Sequence, residues 1–223
     1  MDSFRQRLEN TFSNSGRPLL PSQELRVRPL MGELSKQGIE IGYFITLTYP
    51  FRNVSWKNTV RDSVRTWRIL RKFAKYRVRG LSFIERHTQG KHRGGYHRHL
   101  LCEDPFKQYE SIGTSISRQD LSRVANSVFD KTSLEIFNDA TRKYNFKERL
   151  LRNALVKYNN VLADNDYSCV IKRENDVRSR VSYCTKQFYD YGLEPYDVVD
   201  FKNSDIDPNI VKEWVKNTPL SYK

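Results

Sequence analysis

The four histidines of the chain, His87, His92, His97 and His99, all fall between residues 87 and 99. A lone histidine reads as an ordinary surface or core residue. Four in one segment, with none elsewhere, read as a site. His97 and His99 form the sharpest pair, because side chains two apart on a strand share a face, about 7 Å apart at Cα. Two imidazoles so placed can share one metal ion. Gly90, Gly94 and Gly95 predict a hairpin, with strands over 80–88 and 96–103. A turn centred near residue 92 sets Glu85 opposite His99 and His87 opposite His97, on one sheet face. A slip of one residue would undo that placement. Cys102 is an odd number of positions from His99 and faces away. With no second thiol nearby, a structural zinc site is disfavoured. Two imidazoles and one carboxylate suit Mn²⁺ or Mg²⁺ with open positions for phosphate oxygens.

A second centre lies at Tyr183. The spacing predicts a helix over 176–191, closed by Gly192, with Val177, Val181, Cys184, Phe188 and Tyr191 as its apolar stripe. Tyr183, Lys186, Gln187 and Asp190 then share a polar face. A tyrosine there is poor core material and is available for chemistry. Tyr144 and Lys147 repeat the same YxxK spacing among polar neighbours, and that copy reads as a decoy.

These groups need elements to hold them. GYFITLTY (42–49) is aromatic and β-branched, ends at Pro50 and predicts a strand. Residues 55–76 place Val60, Val64, Trp67, Leu70 or Ile69, and Phe73 at helical spacing, with Arg61, Arg65, Arg68, Arg71, Lys72 and Lys75 on the remaining surface. YSCVIKR (167–173) predicts another strand, and residues 2–13 a short helix that Ser15-Gly16, Pro18 and Pro21 bring to an end. Residues 105–165 predict a mainly helical insertion without a motif. One domain over 1–192 is expected, then a loosely packed tail over 193–223 with a short helix around Val211–Val215.

Composition sets the class. The 223 residues carry a net charge of +13, and 12 Phe, 13 Tyr and 3 Trp suffice for a core. Between Arg52 and Leu100 stand 14 Lys and Arg against Asp62 and Glu85. Aromatics Trp56, Trp67, Phe73 and Tyr76 lie among them, so nucleic acid is the first partner to consider. Three widely spaced cysteines point to a reducing compartment, and neither a signal peptide nor an 18-residue apolar run is expected.

Three segments together resemble the HUH endonucleases, in particular the single-tyrosine rolling-circle replication initiators of phages and plasmids. FITLTYP (44–50), YHRHLL (96–101) and SYCTKQ (182–187) are similar to that family's three motifs, in its order, within residues 42–191. The resemblance implies an α+β fold with a central antiparallel sheet of about five strands flanked by helices. It implies a metal held by Glu85, His97 and His99, with His87 or Gln187 as competing third ligands. Tyr183 would be the nucleophile, with Lys186 beside the phosphate, nicking and rejoining single-stranded or stem-loop origin DNA through a 5′-phosphotyrosine. Thr46, Thr48, Arg86, Lys91, Arg93 and Gln187 would contact the DNA, and the basic helix its backbone. Host helicase and polymerase would be partners, in the host cytoplasm. The chain departs from the family at Arg98, where a hydrophobic residue is usual, and holds no GxxxxGK[ST] helicase motif. A single-tyrosine transposase and a non-catalytic nucleic-acid-binding protein are the alternatives.

Overall fold

The computed structural model describes residues 19, 21–49, 56–86, 95–107, 146–158, 169–187, 198–210 and 212. It is an α+β fold. Four strands, β1 (Tyr43–Thr48), β2 (Gly80–Arg86), β3 (Tyr96–Cys102) and β4 (Cys169–Arg173), form an antiparallel sheet in the order β2-β3-β1-β4. Four helices occur among the described residues: α1 (Pro21–Lys36), α2 (Trp56–Ala74), α3 (Phe146–Tyr158) and α4 (Val177–Cys184). About five strands were expected. The described residues hold four, plus an isolated antiparallel bridge from Val199 to Phe83 at the β2 edge.

The sheet separates two cores. On one face Ile45, Leu47, Leu100, Cys102, Cys169 and Ile171 pack against Trp67, Leu70 and Phe73 of α2 and Leu151 and Leu155 of α3. On the other, Phe44, Leu81, Phe83 and Leu101 pack against Val27, Leu30 and Leu34 of α1 and Val181 and Cys184 of α4. Period-two alternation puts His97, His99 and Glu85 on this second face and Cys102 on the first, as the sequence predicts.

Helix α1 has no counterpart in the sequence expectation, where Pro18 and Pro21 read as breakers. Pro21 instead opens the helix, where its missing N–H costs nothing. Gly38 ends it with φ of 60°, while its N–H donates to Ser35 and that of Ile39 to Leu34, 2.9 Å. Leu34 and Ile39 meet in the core beneath this cap.

Helix α2 is rolled relative to its apolar spacing. Val64, expected inside, is 44% exposed, while Thr59, Asp62, Ser63 and Thr66 are buried. Among them Thr59 meets a fully buried Arg98, which donates to the Thr59 carbonyl, to Ser82 Oγ at 2.6 Å and to Asp200 Oδ2 at 2.9 Å, while Ser63 Oγ lies 3.2 Å from Ser82 Oγ. Asp200 belongs to the stretch expected to be a loose tail. Residues 198–206 are instead part of the fold: Val198, Val199 and Ile206 are buried, and a 3₁₀ turn spans Phe201–Asn203. The helices expected over 2–13 and 211–215 and most of the 105–165 insertion lie outside the described residues, apart from α3.

Gly80 begins β2 with φ of 157°, and a Cβ there would sit 2.0 Å from the Leu101 carbonyl oxygen. Gly80→Ala is therefore expected to destabilise the fold, by roughly 1–3 kcal/mol for the backbone conformation and more for the clash. Urea titration of the variant against wild type measures this, and an unchanged midpoint would refute it.

Candidate metal centre and tyrosine site

The hairpin that carries the histidines pairs Glu85 with His97 and Phe83 with His99. The expected register, Glu85 opposite His99, is corrected by two residues. Arg86 pairs with Tyr96, so the turn is centred one residue earlier than the glycines suggested. A shift of two preserves the face of every side chain, which is why Glu85 still meets both imidazoles. His87, placed opposite His97 by the sequence reading, lies outside the described residues, as do His92, Lys91 and Arg93.

Glu85, His97 and His99 are all buried. Glu85 Oε2 lies 2.8 Å from His97 Nε2 and 3.0 Å from His99 Nε2. One donor atom from each lies within 4.8 Å of the others, so the three could hold a metal ion. Burial pushes the Glu85 carboxyl up, but His97, the hydrogen bonds of both imidazoles and the Lys186 ammonium outweigh it and hold it well below the usual carboxylate range. Burial, reinforced by His97 and opposed by Glu85, pulls His99 down to about 3. A charged carboxylate and a neutral imidazole are the forms that bind metal, so this donor set fits a divalent ion.

The ring of His99 is held from behind. Thr46 Oγ1 lies 2.9 Å from His99 Nδ1. Because Nε2 faces the Glu85 carboxylate at 3.0 Å, the neutral ring carries its proton there and Nδ1 accepts from the Thr46 hydroxyl; a metal taking Nε2 would move the proton to Nδ1, with the threonine oxygen as its acceptor. Phe44 stacks on His99 with centroids 5.1 Å apart, and the Arg180 guanidinium covers the far side of Phe44 at 4.5 Å. Thr46 thus holds the ring of a candidate ligand, whereas Thr48 stands opposite His97 on β1, and both are only partly buried. The alternating face of FITLT could have disclosed Phe44 and Thr46 together; nothing in the sequence pointed to Arg180. Thr46→Val should lower Mn²⁺ affinity by about 10–100-fold, as loss of a ligand's outer partner does. Calorimetric titration reads the change, and full affinity in the variant would refute the role.

Helix α4 brings the tyrosine. Asp176 caps it by accepting from the Ser179 N–H at 3.1 Å. Of the helix expected over 176–191, α4 covers Val177–Cys184; two turn residues follow, Gln187 is again helical, and 188–191 lie outside the described residues. At the end of α4 the Val181 carbonyl accepts from both the N–H and the hydroxyl of Thr185, and Arg26 of α1 donates to the Thr185 carbonyl at 3.2 Å. The turn that follows carries Lys186 and leads to Gln187. Lys186 Nζ lies 2.5 Å from Glu85 Oε1 and 3.7 Å from the centroid of the Tyr183 ring, which meets His99 edge-on at 5.5 Å. Glu85, His97, His99, Tyr183 and Lys186 therefore form one cluster.

Gln187 is placed differently from expectation. Its amide accepts from the Arg86 N–H at 3.1 Å and donates to the Arg86 carbonyl at 2.7 Å. It clamps the end of β2, one residue beyond Glu85, and so ties the tyrosine segment to the ligand strand. Arg86 itself is exposed. Residues Phe188, Asp190, Tyr191, Tyr144 and Lys147 lie outside the described residues or have no described side chain. No described helix is long and apolar enough to cross a membrane. No protein-family model matches the chain, and no curated protein or solved structure matches it either.

Proposed function

We propose that the chain is a metal-dependent single-stranded DNA nicking and rejoining enzyme of the HUH type, initiating rolling-circle replication through Tyr183. The observation that carries this reading is the convergence of Glu85, His97 and His99 with Tyr183 and Lys186 on one face of the sheet. Glu85, His97 and His99 would hold a divalent ion, which supplies Lewis-acid polarisation of a phosphate.

The protein's own groups carry the rest. The Tyr183 oxygen attacks phosphorus and loses its phenolic proton to solvent, a Tyr–O–P bond forms, and the P–O3′ bond breaks, with O3′ taking a proton back from solvent so that the step is proton-neutral. The ester retains the strand's bond energy, so a later 3′-OH can attack it and release the phenol. Burial works against charge on Lys186, but Glu85 and Tyr183 outweigh it and raise its pKa. Lys186 therefore keeps its proton and serves as a fixed positive charge for phosphate oxygens rather than as the base.

Incubation with single-stranded and stem-loop DNA plus Mn²⁺, followed by denaturing electrophoresis, tests the reading. A protein–DNA adduct that EDTA abolishes is expected. DNA binding without any adduct across a diverse oligonucleotide pool would favour a non-catalytic binding protein instead.

A further inference from the structure

The exposed side of α2 is a cationic stripe. Lys57, Arg61, Arg68, Lys72 and Lys75, just past its end, are exposed, and Arg65 and Arg71 flank them at 42% each. At 100° per residue all seven fall within about one third of the helix circumference. The only acidic residue of α2, Asp62, is fully buried and reached by Arg65 at 3.5 Å, while Arg71 reaches Asp205 at 4.0 Å. From Lys57 to Lys72 the stripe runs about 22 Å at 1.5 Å per residue.

Its position separates it from the metal centre. The apolar side of α2 packs on the sheet face of Ile45, Leu47 and Leu100, opposite the face that carries Glu85, His97 and His99. Nucleic acid lying across the ligands would not lie along this helix.

The aromatic residues decide which polyanion fits. Trp67 is 3% exposed and Phe73 fully buried, so neither offers a platform for an unpaired base; Tyr76 is only partly exposed, its hydroxyl donating to the Asp104 carbonyl, and the Trp56 side chain lies outside the described residues. Single-strand binding draws on such stacking as well as on charge. A stripe of cations alone favours the densest phosphate array. Duplex DNA presents about one charge per 1.7 Å of axis. A membrane-surface helix would need an apolar side turned outward. Among the described side chains that side of α2 is spent in the core, with Val64 outward and Val60 partly so.

We infer that the outer face of α2 is a second, sequence-independent docking surface for the phosphate backbone of double-stranded DNA. This inference stands apart from the cleavage chemistry, since it uses none of the metal-site residues.

The test is fluorescence anisotropy with a blunt 30-base-pair duplex in EDTA, titrated with salt. Wild type should bind without metal. Arg61→Ala, Arg68→Ala and Lys72→Ala together should weaken binding and flatten the salt slope by about 2–3 units, at ~0.9 per phosphate contact. A control variant loses three exposed cations from elsewhere, Arg28, Lys36 and Lys212. It should keep the slope, which separates a located surface from net charge. Thermal melting checks that both variants are folded. An equal loss in both variants, an unchanged slope in the first, or a requirement for Mn²⁺ would each overturn the proposal. Stripe-dependent binding to phosphatidylserine vesicles with none to duplex would overturn it in favour of a membrane surface. Duplex binding without any covalent adduct would leave this surface standing and remove only the cleavage reading.

Discussion

Tyr183→Phe is expected to abolish the covalent adduct and nicking, a loss of roughly a thousandfold or more, as for removal of other attacking nucleophiles. The substitution deletes one oxygen and keeps the ring. That ring contributes to the site by its contacts with His99 and Lys186, so these survive. The variant keeps all three donor groups that could hold a metal, Glu85, His97 and His99, so Mn²⁺ affinity should stay within about twofold of wild type. Burial, with a smaller contribution from the Glu85 carboxylate, raises the Tyr183 pKa, and Lys186 opposes them. At neutral pH the phenol therefore holds its proton until attack. Calorimetry with Mn²⁺, oligonucleotide anisotropy and adduct gels on the same preparation separate binding from chemistry. Tyr144→Phe provides the comparison, because it carries the same YxxK spacing and should change little. An adduct retained by Tyr183→Phe and lost in Tyr144→Phe would move the nucleophile to the other tyrosine.

The parts of this site that the sequence disclosed are those governed by short-range periodicity. Two residues on a strand share a face whatever the rest of the chain does, so His97 and His99 were legible, and so was Glu85 through a hairpin of known parity. The register was legible only to within two residues, because a shift of two leaves the same faces in place. The tyrosine helix was legible from its apolar stripe, but not the break after Cys184, where Arg26 of α1 donates to the Thr185 carbonyl from 159 residues away. Long-range hydrogen bonds carry no local signal. Gln187 looked like a DNA contact or a rival ligand because its amide suits either role, and its actual partner is the backbone of Arg86, 101 residues earlier. Helix α1 was missed for a different reason: Pro18 and Pro21 read as breakers, yet Pro21 opens the helix, where proline is favoured, and Pro29 is carried inside it.

Arg98 shows the same limit with the largest energetic consequence. In sequence it is a departure from an apolar position between two histidines. In the structure it points away from them, into the opposite core, where Asp200 meets it from 102 residues along the chain. The pair is 0% and 3% exposed, so neither charge is solvated. Asp200→Ala would leave the guanidinium buried beside Ser82 and the Thr59 carbonyl without its ion-pair partner. Removing one partner of a buried pair costs about 3–5 kcal/mol, and urea denaturation should show a loss of that order. Replacing both, Arg98→Met with Asp200→Leu, should recover much of it, because an apolar pair avoids desolvating either charge. The comparison matters because the single variant alone would not distinguish a lost attraction from an orphaned charge. A loss below about 1 kcal/mol in Asp200→Ala would mean that water reaches Arg98, since only solvation or a new counter-charge cancels a penalty of that size. Should the single variant unfold and the double variant refold with intact Mn²⁺ affinity, the pair serves to fasten residues 198–206 to the back of the histidine strand, and the metal site needs the strand rather than the charge.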